Sequence, residues 1–260
     1  MLKWRIFKSK KGQDVVDVSE KDGIRYLHLG HETVQSAMRI RDPFELALTY
    51  TQAMMAFLLF NPNPQKMLMV GLGGGSMAKW VHKHLPLVHN TVVEINPEVI
   101  AASRAYFNLP PNDDRLDVQL GDGVEAVWQH KGQMDVCFVD AYDSKAIVDD
   151  LATEEFFDGC LHCLKQDGIL SVNLWGSDKR FNEFRSRIER VFAGRVVCLP
   201  AEHHSNIIVF GFSRSPGSPR WGELQARASE LEMIYKLPFT RFVDSLKVLN
   251  PHTEKRLLIE

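Results

Sequence analysis

The stretch Val70-Gly71-Leu72-Gly73-Gly74-Gly75-Ser76 constrains this chain more than any other. A short apolar run, Met67-Leu68-Met69-Val70, leads into it, and a helical segment from Met77 to His84 leads out. A second apolar run, Thr91-Val92-Val93, then stops on Glu94. Strand, glycine turn, helix and strand in that order make a βαβ unit. Glycines at the turn let the backbone approach a ligand closely, and an acid about 20 residues further on accepts both hydroxyls of a ribose. The unit predicts a nucleoside-like ligand, with Gly71, Gly73 and Gly75 at the turn and Glu94 on the sugar.

The alternation continues. Strands are expected at 67–71, 91–95, 116–120, 135–140 and 168–174, and helices at 76–85, 97–107, 122–130, 153–165 and 178–193. Such a pattern predicts an α/β fold, a doubly wound and mostly parallel sheet with helices on both faces. Apolar runs at 195–199 and 206–212 suggest a hairpin closing the sheet, and helices at 219–236 and 239–248 finish the chain. Ahead of this, residues 14–18, 24–29 and 33–38 read as strands separated by Lys21-Asp22-Gly23 and Gly30-His31-Glu32, a small N-terminal antiparallel β-sheet. Residues 43–60 read as a helix with Pro43 in its first turn. The expected division is residues 1–42 for the small sheet and 43–260 for the nucleoside-binding domain.

Charge and composition narrow the partners. The formal net charge is −2 and the basic residues are scattered, which predicts neither nucleic acid nor an anionic membrane as partner. No apolar run reaches the roughly 18 residues of a membrane span. The opening Met1-Leu2-Lys3-Trp4-Arg5 lacks a signal-type apolar core, so a cytoplasmic location is expected. Cys160 and Cys163 form a C-x-x-C inside an expected helix with no second pair to complete a zinc site, and Cys137 falls in a strand. They read as small buried apolar residues, and no metal site is expected. His203-His204 read as loop residues.

In an open α/β sheet the ligand sits outside the carboxyl ends of the strands. Glu94 closes the second strand, Asp122 follows the third within Gly121-Asp122-Gly123, Asp140 closes the fourth, and Asp143 comes three residues later. One acid at such a place means little, since Glu94 beside Asn96-Pro97 could serve the next helix start and Asp122 could be only an N-cap. Four on one rim behind a glycine turn are hard to obtain from packing alone, and Asp140 is the strongest catalytic candidate among them. Asp149 and Asp150, in the loop after Asp143, are candidate gatekeepers of the site, but read first as a solvated loop face.

The stretch 67–175 resembles the spermidine synthase (polyamine aminopropyltransferase) family, in a short bacterial branch. The resemblance rests on Gly71-Leu72-Gly73-Gly74-Gly75, Val93-Glu94-Ile95-Asn96-Pro97-Glu98-Val99-Ile100, Gly121-Asp122-Gly123, Met134 to Asp143, and Thr153-Glu154-Glu155-Phe156-Phe157. It implies a class I methyltransferase-like (Rossmann-like) fold and a homodimer built partly through the N-terminal sheet. It implies no prosthetic group, with decarboxylated S-adenosylmethionine or S-adenosylmethionine as co-substrate and a polyamine such as putrescine as acceptor. Glu94 then holds the ribose, Asp122-Gly123 the adenine end, and Gln35 the donor. Asp140 matches the general base, Asp143 is the second catalytic acid of the pair, and Asp143 and Tyr50 seat the amine.

Three positions depart from the family pattern. Gly74 stands where an acid of the glycine loop is usual, Thr49-Tyr50-Thr51 replace Y-H-E, and Ser144 replaces the proline after the D-x-x-D pair. These leave the acceptor, and the decarboxylated state of the donor, open. A small-molecule methyltransferase and a non-catalytic nucleoside-binding relative stay as alternatives. An NAD-dependent dehydrogenase would need glycine where Ser76 stands.

Overall fold

A computed structural model describes residues 4–8, 15–30, 34–140, 148–201 and 206–259. Two sheets are built in chain order. The first has four antiparallel strands in the order of the chain: β1 (Trp4–Lys8), β2 (Val16–Lys21), β3 (Ile24–Leu29) and β4 (Val34–Arg39). β1 was not among the strands expected. It is an edge strand with a register shift between Arg5 and Phe7, too short and too exposed to announce itself by alternation.

A linking segment follows. The helix expected from residue 43 begins only at Thr49, as α1 (Thr49–Met54), and tightens into a 3-10 turn over Met55–Leu59. Residues 43–48 are held otherwise: Glu45 N–H bonds the Asp42 carbonyl, Glu45 pairs with Arg39, and the Gln52 amide donates to the Leu46 carbonyl. The 3-10 turn is buried on every side, so no amphipathic face marks it as helix.

The second sheet has seven strands: β5 (Lys66–Val70), β6 (His89–Glu94), β7 (Leu116–Leu120), β8 (Met134–Val139), β9 (Leu164–Trp175), β10 (Val196–Pro200) and β11 (Asn206–Phe212). Its order is β10-β11-β9-β8-β5-β6-β7. β5 to β9 run parallel, and β11 lies antiparallel between β9 and β10, the expected hairpin. The crossover helices are α2 (Ser76–His84), α3 (Pro97–Tyr106), α4 (Gly123–Gln129), α5 (Glu154–Cys163) and α6 (Phe181–Val191). After the hairpin come α7 (Trp221–Tyr235) and α8 (Phe239–Leu249).

Two apolar layers cover the large sheet, and strict alternation assigns residues to them. Met67, Met69, Val136 and Phe138 point into one layer, Leu68, Val70, Cys137 and Val139 into the other. Strands buried on both faces explain why these runs read as continuously apolar. Val16, Val18, Leu27 and Met38 of the small sheet join the first layer, beside Phe57 and Phe107. Each such residue contributes roughly 1.5–3 kcal/mol by leaving water. Cys160 and Cys163 of α5 are buried in the second layer with Cys137, as expected of small apolar residues. No helix among the described residues is long and apolar enough to cross a membrane.

The consequence for function lies in the strand order. From β5 the chain winds outward through β6 and β7, then returns to β8 on the opposite side of β5. At that reversal the loops after β5 and β8 diverge and leave a crevice beyond the carboxyl ends.

Candidate active site

A cavity of about 570 Å³ opens at this crevice. It gathers side chains from both sheets: Gln35 from β4, Tyr50 and Thr51 from α1, Gly71 and Gly73 after β5, Glu94 at the end of β6, Asp122 and Gly123 after β7, and Asp140 after β8. Asn173 and Trp175 of β9, Asn206 of β11, and Val148, Asp150 and Leu151 line it too. Thus Glu94, Asp122 and Asp140 share one cavity with the glycine turn and Gln35. Asp143, Ser144 and His203-His204 lie outside the described residues.

Gly75, expected to meet the ligand, does not line the cavity. It caps α2 in the left-handed conformation with φ of 68°, and a Cβ there would come within 2.8 Å of Leu109 Cδ1. Its glycine is required by the turn and by packing. Gly123 is likewise fixed by close approach, since a Cβ would overlap the Val70 side chain.

Glu94 ties the turn to the sheet. Its Oε2 accepts from Leu72 N–H at 3.0 Å and its Oε1 from Asn96 N–H at 2.9 Å. Burial pushes its pKa up, and the backbone N–H donors pull against that. The helix start that could have claimed Glu94 is capped instead by Asn96, whose Oδ1 accepts from Glu98 N–H at 2.9 Å. Asp122 Oδ1 caps α4 through Val124 N–H at 2.8 Å, and the residue also lines the cavity.

Asp140 is held by one donor on each carboxylate oxygen. Tyr50 Oη donates to its Oδ2 at 3.1 Å and Asn173 Nδ2 to its Oδ1 at 2.9 Å. Desolvation raises its pKa above the usual aspartate range, opposed by these two donors. A half-desolvated carboxylate with a raised pKa is a better proton acceptor than an exposed one. Of the three positions replacing Y-H-E, Tyr50 and Thr51 line the cavity and Thr49 does not. The Thr51 hydroxyl is spent on the Leu48 carbonyl at 2.6 Å.

At Gly74 there is little room for a side chain. A Cβ there would lie 2.8 Å from Ser36 Oγ and 2.9 Å from Phe107 Cδ1. Ser36, 3.3 Å from Ser76 Oγ, and the fully buried Phe107 ring occupy the space an acid would need.

Among the described residues, the cavity is lined by four carboxylates, Glu94, Asp122, Asp140 and Asp150, and by no lysine, arginine or histidine. Asp150 therefore belongs to the site and not only to a solvated loop face. Asn173, Trp175 and Asn206 escaped the sequence reading. One signal was present: Asn173 is a polar residue inside the mostly apolar run Ile169-Leu170-Ser171-Val172-Asn173-Leu174.

Comparison with known proteins points one way. The spermine/spermidine synthase domain model matches residues 47–211. A polyamine aminopropyltransferase of Chromobacterium violaceum is 44% identical over 244 residues, covering 94% of each chain. One of Neisseria meningitidis serogroup A is 42% identical over 252 residues, covering 96% of each. A solved spermidine synthase in complex with the transition-state analogue AdoDATO matches with a TM-score of 0.70 at 23% identity, covering 94% of this chain and 89% of the other. Human methyltransferase-like protein 13 in complex with SAH matches with 0.66 at 24% identity, covering 72% and 92%. At those identities the two structures show the shared methyltransferase-like fold.

Proposed function

The chain belongs to the spermine/spermidine synthase family and is a transferase, and from that premise we propose that it moves the aminopropyl group of decarboxylated S-adenosylmethionine to putrescine or a related polyamine. The products are then methylthioadenosine and, from putrescine, spermidine. The observation that carries this reading is the cavity's charge: four carboxylates and no basic side chain among the described residues. A sulfonium donor and an ammonium acceptor are both cations. Intact S-adenosylmethionine would bring a carboxylate into a cavity without a cationic side chain to meet it, which favours the decarboxylated donor.

The residues divide the work. Glu94 takes the ribose hydroxyls with the oxygens that already brace the glycine turn. Asp122 and Gly123 bound the adenine end, and Gln35 the aminopropyl side. The acceptor enters as an ammonium with a pKa near 10 and is no nucleophile until it loses a proton. Asp140 accepts a hydrogen bond from that nitrogen, orients it and takes its proton, freeing the lone pair that then attacks the methylene beside sulfur. The new C–N bond forms as the C–S bond breaks, and the sulfur leaves neutral in methylthioadenosine. Tyr50 and Asn173 hold the carboxylate by one donor on each oxygen, leaving lone pairs for the amine. The homodimer implied by the resemblance would pair copies through the four-stranded sheet, which sedimentation checks.

The test compares both donors with putrescine. Methylthioadenosine release that requires the decarboxylated donor is expected, with kcat of Asp140→Asn lower by a factor of roughly 100 to 10,000 and donor affinity nearly unchanged. S-adenosylhomocysteine release from the intact donor, or an Asp140→Asn enzyme at full rate, would overturn the assignment.

A further inference from the structure

Behind Asp140 runs a chain of amides that the proton-transfer step does not itself require. Asn173 is 2% exposed, on a central strand among Val172 and Leu174. Its Nδ2 donates to Asp140 Oδ1 at 2.9 Å, and its Oδ1 accepts from Asn206 Nδ2 at 2.9 Å. The two asparagines are diagonal neighbours across an antiparallel pair, since Asn206 is opposite Trp175 and Asn173 opposite Ile208. Both line the cavity.

The polarity of this chain is set from one end. A carboxylate can only accept, so Asn173 must present its NH₂ to Asp140. The other end of the same amide, its oxygen, then faces Asn206, which must donate. Reversing Asn173 would put oxygen against oxygen at Asp140 and NH₂ against NH₂ at Asn206. We propose that Asn206 is a positioning residue that acts through Asn173: its donated hydrogen bond locks the Asn173 amide so that Asp140 keeps a fixed donor on Oδ1 and turns its free lone pairs to the acceptor amine. The proposal rests on the reading of Asp140 as the base.

The surroundings of Asp140 leave this chain prominent. Tyr50 approaches from α1, Asn173 from β9, and Asn206 from β11 behind it. The other carboxylates lining the cavity are Glu94, Asp122 and Asp150, and none of them bonds Asp140. Desolvation alone would drive Asp140 toward its neutral form, in which it cannot take a proton, and the Asn173 donor counters that drift. Losing the lock on Asn173 weakens this donor and raises the carboxyl pKa further, so the acid limb of the rate profile moves to higher pH.

The experiment is a double-mutant cycle on the full chain. Asn206→Leu, Asn173→Leu and the double variant are compared in kcat/KM against pH, with putrescine and the decarboxylated donor. Titration of the Asp140 carboxyl is followed in parallel by ¹³C NMR on aspartate-labelled protein, assigned by its loss in Asp140→Asn. Asn206→Leu should lower kcat roughly tenfold, and both the acid limb and the carboxyl titration should move to higher pH. In the Asn173→Leu background it should add little, because its route is gone. Should Asn206→Leu fail to fold, Asn206→Ala removes the same donor with less bulk. An unmoved titration, or an equal loss in the Asn173→Leu background, overturns the proposal. An Asp140→Asn enzyme at full rate overturns the base assignment instead, and the NMR titration still decides the relay.

Discussion

Gly74 offers the sharpest test of why this chain lacks the acid usual in its glycine loop. Its φ is not in the left-handed region, so its backbone accepts a side chain; what forbids one is space. A Cβ would stand 2.8 Å from Ser36 Oγ and 2.9 and 3.2 Å from Phe107 Cδ1 and Cγ. Ser36 can rotate at the price of a long hydroxyl contact to Ser76. Phe107 cannot, being fully buried in the layer shared with Trp80 and Leu109. Overpacking of one methyl against a fixed ring costs about 1–3 kcal/mol. For a chain of this size that is a fall in Tm of about 2–10 °C. Gly74→Ala should show it in calorimetric melts, and Gly74→Asp should show more, because a buried charge is added. The same Gly74→Ala change in a Phe107→Leu background, where the ring is gone, should lose less, by a coupling of about 1 kcal/mol. If Gly74→Ala melts within 1 °C of the parent (roughly the error of the method), or Phe107→Leu gives no relief, the steric account fails.

Other outcomes follow from single contacts. Glu94→Gln places an amide donor against the Leu72 or Asn96 N–H and removes the charge, so methylthioadenosine affinity by calorimetry should fall about 100-fold; unchanged affinity would remove Glu94 from the ribose. Tyr50→Phe deletes the donor to Asp140 Oδ2, so the acid limb of kcat/KM should shift to higher pH with kcat about tenfold lower; an unshifted profile would show that Tyr50 does not tune the base. Lys79 of α2 is fully buried, donates to the Phe107 carbonyl at 2.6 Å, and has its pKa lowered by burial from 10.5 to about 8. The folded chain then binds fewer protons than the unfolded chain between those two values, so this group makes stability rise with pH there, by up to about 3 kcal/mol. Lys79→Met should flatten the rise in Tm through that window, and parallel curves would refute it.

The βαβ unit, the strand-end acids and the parallel order of β5 to β9 were legible in the chain because each depends on near neighbours. An apolar run with both faces covered, glycines at a turn, and an acid at a strand end keep their meaning wherever the strand is placed. Asp122 shows the limit of that reading: the same residue type in the same place served both as helix cap and as cavity wall, and only its position could say so. The late start of α1 shows another, since Pro43 suited a helix start until the Arg39–Glu45 pair and the Asp42 turn claimed those residues.

What tertiary structure alone decided is who meets Asp140. Tyr50 stands 90 residues before it and Asn173 33 residues after it, and Asn206 a further 33 beyond Asn173. No local periodicity links such positions; they meet because β9 lies beside β8, β11 beside β9, and α1 against that edge. Likewise the chain alone shows that Gly74 lacks the usual acid, and only the fold shows the Phe107 ring 2.9 Å from where its Cβ would stand. Sequence determined the side of the cavity built from the glycine turn and the strand-end acids, where backbone turns and strand ends do the work. Packing between distant segments determined the side around Asp140, where side-chain orientation is everything.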